Sequence, residues 1–287
     1  MLNARLGFVQ GRLSPLVDGR IQAFPWDSWA DEFEAASQCN ISLMEWTIDQ
    51  HRLYENPLMN SVGQKQIQAL CHRYSLSIKS LTGDCFMQDP FWKAETKSIS
   101  KLKNDFLAVV NACFHVGIKM IVVPLVDNGR LDTLDQENKL INFLISQAEF
   151  FKSRGVQIIF ESDFEPKELR RFIRRLPSNT FGINYDSGNS ASLGYKPNEE
   201  FEAYGERILN VHIKDRVLGG TTVPLGMGNV QFGEVFTGLV RKNYNGNFIL
   251  QTARATDGTD IQTLCRYRNM TIDWMVEAGY QHLLSLP

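Results

Sequence analysis

Short apolar runs alternate with longer helical patterns along the whole chain. Each run has the length of a buried strand and ends in polar or glycine-rich residues, which is typical of parallel strands joined by helices. One strand and one helix together take roughly 35 residues, a usual size for such a unit. The predicted strands are 6–11, 43–48, 77–83, 120–126, 156–162, 181–187, 209–215 and 248–254. The predicted helices are about 27–38, 60–74, 92–116, 133–154, 166–175, 198–206, 232–243 and 259–278.

Helix-end residues agree with these boundaries. Pro166 and Pro197 suit the first turns of two helices, and Gly155 suits a C-terminal cap. Eight units of strand and helix, with no linker between them, predict an α/β fold: a (β/α)8 TIM barrel that forms a single domain over residues 1–287. The alternative is a doubly wound open sheet, which normally has G-x-G-x-x-G after its first strand. Here that strand continues into VQGRL, so the barrel is favoured.

Composition narrows the class of protein. The 287 residues include 30 basic and 32 acidic side chains, a net charge of −2, which argues against a nucleic-acid binder. Five scattered cysteines with no C-x-x-C pair predict neither a disulfide framework nor a zinc ribbon. We find no signal-peptide pattern, and no apolar run approaches the roughly 20 residues of a membrane span. We therefore expect a cytoplasmic protein that binds neither membranes nor nucleic acids.

Polar side chains occupy the last inward positions of four consecutive predicted strands. Alternation along each strand assigns Glu161, Asp186, His212 and Gln251 to these positions. The carboxyl ends of barrel strands share one face, where barrel enzymes have their active sites. A single strand-end acid is commonly a helix cap or a solvated loop residue, but four matching positions together predict a site for one divalent cation: Mn²⁺, Mg²⁺, Co²⁺ or Zn²⁺.

These strand ends resemble a known family. The segments IIFESDF, INYDSGN, NVHIKDR and FILQTAR, together with PLGMGNVQF at 224–232, are similar to the motifs of the xylose isomerase-like TIM barrels, a superfamily of sugar and sugar-phosphate isomerases and epimerases. The resemblance implies that Glu161, Asp186 and His212 bind one metal ion. It also places Gln251 where a fourth ligand, usually Glu, stands, and Asn189 near the substrate where many relatives have His.

The resemblance also implies a mechanism. In the family the metal holds a substrate carbonyl and the neighbouring hydroxyl, and a proton moves through a metal-bound enediolate. Epimerisation usually needs two carboxylates, whereas aldose–ketose isomerisation needs one base. Gln251 has no proton to exchange near neutral pH, so Glu161 is the remaining base and isomerisation is favoured over epimerisation. The missing carboxylate also predicts weaker metal binding than in a relative with Glu.

Two other functions are open to such a chain. One is a non-catalytic or weakly active carbohydrate-binding relative that has lost its chemistry with the change to Gln251. The other is an apurinic-site endonuclease of the endonuclease IV type, which needs more strand-end histidines and a basic face for DNA. The small-molecule partner that we expect is a sugar or sugar phosphate, and the family commonly forms homo-oligomers.

Further substrate-binding residues are predicted around the barrel mouth. Arg12, Lys214, Arg216 and Arg254 follow neighbouring strands and form a candidate clamp for an anion, aided by the glycine-rich segment 216–229. The alternative is that these residues are surface cations or pair with nearby acids.

Two acids at strand ends complete the prediction. Glu45 is either an acceptor for a substrate hydroxyl or a structural partner of a rim arginine. Asp84 closes the third strand before CFMQDPFW, whose aromatic residues form either a lid over a sugar or a packed connection.

Overall fold

Eight parallel strands close into one barrel in a computed structural model that describes residues 5–255 and 257–280. The barrel strands are β1 Leu6–Val9, β2 Leu43–Thr47, β3 Ser77–Thr82, β4 Met120–Leu125, β5 Gln157–Ser162, β6 Phe181–Asp186, β7 Ile208–Ile213 and β10 Asn247–Leu250. Around the ring the order is β1-β10-β7-β6-β5-β4-β3-β2. A short antiparallel hairpin, β8 Asp215–Arg216 and β9 Thr222–Val223, lies in the connection after β7. The predicted (β/α)8 barrel is confirmed.

Helices follow the strands in the predicted alternation. They are α1 Asp31–Gln38, α2 Ser61–Arg73, α3 Asp84–Gln88, α4 Thr96–Val116, α5 Leu134–Ser146, α6 Ala148–Arg154, α7 Pro166–Arg174, α8 Ser187–Leu193, α9 Pro197–Tyr204, α10 Phe232–Arg241 and α11 Asp260–Glu277. Short 3₁₀ turns cover Leu53–Glu55, Pro57–Met59, Asp127–Gly129 and Gly205–Arg207. The helix predicted over 133–154 is two helices, because Gln147 leaves the helical conformation (φ −107°, ψ 5°) while the periodicity continues through it.

Alternation along the strands separates two cores. Outward side chains such as Phe160 and Phe181 pack beneath the helices in one large apolar cluster. Inside the barrel, a small cluster of Val9, Leu43 and Ile249 is fully buried. Buried polar residues of other strands, such as Asn184 and Asn210, occupy further interior positions.

Two irregularities lie beside the polar interior. The pairing register shifts between Met44 and Glu45 in β2, and again between Ile183 and Asn184 in β6. A register shift of this kind turns the side chains that follow it, and such shifts are common near active sites. Glu45 and Asn184 both contact the functional group of residues described below.

One disulfide, which the sequence did not predict, joins Cys39, directly after α1, to Cys265 in α11. The 226 residues that separate them along the chain give no local spacing from which the pair could be recognised. It ties the first barrel helix to the last. Disulfides are rare in reducing compartments, so the expectation of a cytoplasmic protein does not account for this bond. Among the described residues, no helix has the length and apolarity needed to cross a membrane.

We predict that this disulfide contributes measurably to stability. Because it closes a very long loop of the unfolded chain, its loss in Cys39→Ser should lower the free energy of unfolding by about 2–5 kcal/mol. Urea unfolding with and without reductant measures this effect. The reductant should lower the midpoint of the wild type and of the control Cys71→Ser, a free cysteine, but leave Cys39→Ser unchanged. Equal sensitivity of all three proteins to reductant would contradict the prediction.

Candidate active site

Three of the predicted ligands meet at the carboxyl ends of neighbouring strands. Glu161 of β5, Asp186 of β6 and His212 of β7 each offer a ligand atom, and these atoms all lie within 4.8 Å of one another. Asp186 and His212 are direct partners in the strand pairing, which fixes their separation. All three side chains are buried, so their charges are little screened by water.

His212 is oriented by a carboxylate from the other side of the barrel. Its Nε2 lies 2.7 Å from Glu45 Oε1, and the oxygens of Glu45 also accept hydrogen bonds from Ser80 and Thr82 of β3 and from Asn210 of β7. The remaining ring nitrogen, Nδ1, faces Glu161 Oε2 at 3.1 Å and Asp186 Oδ2 at 3.9 Å. Glu45 is therefore the hydrogen-bond partner of His212. Neither of the two roles predicted for Glu45 from the sequence included this contact.

Glu161 is held through both of its carboxylate oxygens. Asn189 donates to Oε1 at 2.6 Å and Asn184 donates to Oε2 at 3.0 Å. Burial by itself would raise the pKa of Glu161, but the contact with His212 and the charge of Lys214 outweigh it, so that the pKa lies below its ordinary range. Glu161 is therefore an ionised carboxylate at neutral pH, as a ligand or a base must be.

Lys214 brings a positive charge to the same group. Its Nζ lies 3.3 Å from Asp186 Oδ2 and donates to Asn189 Oδ1 and Gln251 Oε1 at 3.3 and 3.2 Å. An ammonium group has three protons to donate, and these three oxygens take all of them. The lysine stem needs the glycine at 188, because a Cβ there would lie 2.7 Å from Lys214 Cγ.

The charges of the neighbours also act on His212 and Asp186. Burial would lower the pKa of His212, but the carboxylates of Glu45 and Glu161 raise it to about 10. Burial raises the pKa of Asp186, against the attraction of Lys214. A metal ion and a proton compete for a histidine nitrogen, so a cation bound at Nδ1 would take the place of this proton.

Glu161 connects this group to a polar cavity of about 680 Å³, which it lines; Asp186 and His212 are not among the described residues that line it. Six of the predicted site residues line the cavity, together with loop residues from the other half of the barrel. The polar and charged lining residues are Arg20, Gln22, Thr82, Asp84, Gln88, Asp127, Glu161, Asp163, Asn189, Ser192, Lys214, Arg216 and Gln251. Among the described residues, no aromatic side chain lines this cavity, and the aromatic residues 86, 91 and 92 are buried in the packed connection after β3.

Two of the predicted rim cations point into the protein instead. Arg12 is buried and donates to the backbone oxygens of Thr252 and Ile21, at 3.0 and 2.9 Å. Arg254 donates to the backbone oxygen of Ser14 and lies 3.6 Å from Asp260. Burial and the nearby charge of Arg254 lower the pKa of Arg12 to about 10. Among the described residues, Lys214 and Arg216 line the cavity, whereas Arg12 and Arg254 do not.

The glycine-rich segment 216–229 is organised around an acid rather than an added anion. Asp215 accepts hydrogen bonds from the backbone N–H groups of Gly226 and Gly228 at 2.8 and 2.9 Å, and from Val230 at 3.1 Å. Those N–H groups are therefore already satisfied. Arg216 crosses the segment to donate to Gly220 O and to Asn189 Oδ1.

Sequence reasoning missed the contribution of the loop after β1. Gln22 donates to Asp84 Oδ2 at 2.8 Å and accepts from Gln251 Nε2 at 3.0 Å, which links the third and eighth barrel strands across the mouth. Arg20, half-exposed, lines the same cavity. The loop has no periodicity or motif, so no signal in the sequence marks these residues.

The residues present fit a divalent metal ion. Within the described residues, His212 Nδ1 is a buried nitrogen without a hydrogen-bond partner, because Glu161 approaches it too obliquely. A free imidazole nitrogen beside two carboxylates is a donor set that divalent transition metals accept. Gln251 turns its amide oxygen toward the same group, since its Nε2 is occupied by Gln22.

Comparisons with known proteins agree with this fold. A family model described as "Xylose isomerase-like TIM barrel" matches residues 33–268. An inosose dehydratase from Bacillus thuringiensis (strain Al Hakam) is 24% identical over 193 residues, which cover 54% of this chain and 64% of that protein. The alignment thus spans less than two thirds of that relative's length.

Solved structures show the same fold. An L-ribulose 3-epimerase superposes with a TM-score of 0.75 at 15% identity, covering 99% of this chain and 98% of that one. The D-psicose 3-epimerase from Clostridium cellulolyticum H10, solved with D-tagatose, gives a TM-score of 0.71 at 12% identity, covering 96% and 99%.

We predict that Glu45→Gln weakens metal binding about 10- to 100-fold, because a neutral amide makes the imidazole a poorer donor than the carboxylate does. Titration of the protein with Mn²⁺ in a calorimeter measures the change. Glu137→Gln is the matched control, since Glu137 is a buried carboxylate paired with Arg171 on the outside of the barrel. Equal Mn²⁺ affinity in wild type and Glu45→Gln would show that the histidine does not depend on this partner.

We further predict that Lys214→Met binds Mn²⁺ at least about tenfold more tightly, because it removes a positive charge that contacts Asp186 and Gln251. Lys214→Arg keeps the charge and should bind as weakly as the wild type. A weaker binding in Lys214→Met than in Lys214→Arg is the opposite result and would mean that the lysine helps to hold the site open.

Proposed function

The chain belongs to the xylose isomerase-like TIM barrel family, and from that membership we propose that it is a sugar-modifying enzyme that moves a proton at a carbon next to a carbonyl. Glu161, Asp186, His212 and Gln251 would hold one divalent metal ion. That ion supplies positive charge that polarises the substrate carbonyl and stabilises the negative charge developed on its oxygen. The observation that carries the proposal is the buried group of Glu161, Asp186 and His212, of which Glu161 lines a polar cavity.

Glu161 is the base in this proposal. It lines the cavity, and its two amide partners fix the direction of the carboxylate toward the substrate space. Its lowered pKa keeps it ionised and ready to accept a proton. Gln251 acts as a neutral oxygen donor and cannot take part in proton transfer. With one carboxylate of this kind, aldose–ketose isomerisation is favoured over an epimerisation that uses two.

The cations of the cavity support an anionic substrate, such as a sugar phosphate. Lys214 and Arg216, two members of the predicted clamp, line the cavity together with Arg20. The acids Asp84, Asp127 and Asp163 on the wall are suited to accept hydrogen bonds from sugar hydroxyls. Asn189 joins the two regions, because it contacts Glu161, Lys214 and Arg216 at once.

A dehydration is the second candidate. The inosose dehydratases that match this chain are named for the loss of water from a cyclic polyhydroxy ketone. That reaction also begins with removal of a proton beside a carbonyl, so it would use Glu161 in the same way.

We predict that Glu161→Gln reduces proton transfer by about 10²- to 10⁴-fold, because the amide cannot accept a proton. The measurement is deuterium incorporation from D₂O into a panel of ketoses, ketose phosphates and an inosose, with Mn²⁺ present. Asp135→Asn is the matched control, an exposed acid of α5 outside the cavity. Exchange that survives in Glu161→Gln would refute its role. Tight sugar binding with no exchange in the wild type would instead favour the non-catalytic carbohydrate-binding relative.

A further inference from the structure

We propose that Asp84 is a second proton-transfer group of this cavity and that the reaction it permits is loss of water from a polyhydroxy ketone. Asp84 would give its proton to the hydroxyl that leaves from the carbon next to the one deprotonated by Glu161. This inference rests on the proposed function, because it takes Glu161 as the base.

Asp84 has the position that such a donor needs. It follows β3 directly and lines the same cavity as Glu161. In the barrel order β3 lies two strands from β5 and four strands from β7, so Asp84 stands on the half of the mouth opposite His212 and Lys214. A substrate that reaches the metal-binding group from the cavity would therefore have Asp84 along its far side.

The hydrogen bonds around Asp84 leave one oxygen for the substrate. Gln22 donates to Oδ2 at 2.8 Å. The side-chain amide of Gln22 cannot flip, because its oxygen accepts hydrogen bonds from Gln251 and Arg12 at 3.0 and 3.3 Å. Oδ1 receives no hydrogen bond from any residue in 5–255 or 257–280, so this oxygen is the one placed to carry a proton toward a hydroxyl.

The surroundings of Asp84 favour a protonated carboxyl. Its side chain is only 6% exposed although it lines the cavity. Burial, together with the negative charges of Asp49 and Glu161, raises the pKa of Asp84 to about 7, against the attraction of Arg12. A carboxyl group that retains its proton near neutral pH is suited to act as a general acid.

The amide at position 251 is the reason that Asp84 is needed as the second proton-transfer group. Gln251 cannot serve as the second proton-transfer group on the metal side. In the elimination, Glu161 takes the proton as the C–H bond breaks, the electron pair forms a C=C bond, and the neighbouring C–O bond breaks. The leaving hydroxyl takes the Asp84 proton and departs as water. The resulting enol tautomerises to a ketone, and the proton on Glu161 is lost to solvent while Asp84 regains one, so atoms and charge balance.

The test separates the two proton transfers with an inosose as the probe, in D₂O with Mn²⁺. Exchange of the hydrogen beside the carbonyl reports on Glu161, and the amount of dehydrated ketone reports on Asp84, both by mass spectrometry. We expect Asp84→Asn to lose elimination about 10²- to 10⁴-fold while exchange stays within about threefold of the wild type. Glu161→Gln should lose both, and the control Asp135→Asn, at an exposed acid of α5 outside the cavity, should keep both.

A second variant guards against misfolding of Asp84→Asn. Gln22→Met removes the hydrogen bond that positions Asp84 and leaves the carboxyl in place, so elimination should fall while exchange is retained. Because Gln22 also contacts Gln251, both are measured at saturating Mn²⁺. Elimination that persists in Asp84→Asn, or exchange without elimination in the wild type, would overturn this inference alone. A wild type that exchanges no hydrogen in the inosose or in any ketose of the panel would overturn the proposed function, and this inference with it.

Discussion

The buried contact between His212 and Glu45 is the interaction on which the polar interior of this barrel depends. It spans the barrel from β7 to β2, and its two side chains are fully buried. A charged group in such a place is stable only when it is paired, and removing one partner of a buried pair costs about 3–5 kcal/mol. Ser80, Thr82 and Asn210 satisfy the rest of the Glu45 carboxylate, so the pair can remain fixed. The orientation of Nδ1 toward Glu161 and Asp186 follows from this contact.

Charge balance explains the amides that surround the group. With Gln251 in place of a carboxylate, the ionised ligands are Glu161 and Asp186, and Lys214 adds a positive charge beside them. Asn184 and Asn189 hold Glu161 without adding charge. The site is therefore arranged for oxygen and nitrogen ligands at low net charge, which favours a cation held less tightly than by three carboxylates.

Alternation along parallel strands made the centre of the site predictable. Once the barrel is assigned, the inward parity of Glu161, Asp186 and His212 places them together, and the structure does bring them within 4.8 Å. The partner of His212 was not predictable, because Glu45 meets it across the barrel rather than along a strand pair. Gln22 and the Cys39–Cys265 bond depend on loop paths and helix docking, for which a single sequence carries no periodic signal.

The loop after β1 positions side chains at the barrel mouth beside the metal-binding group. Its backbone is fixed by Glu32, whose buried carboxylate accepts the N–H groups of Gly11 and Leu13 at 2.8–2.9 Å. The same loop delivers Gln22, which orients both Asp84 and Gln251. Since barrels change their chemistry through loops while their strands persist, a different residue at position 22 would release Asp84 without disturbing Glu161, Asp186 or His212.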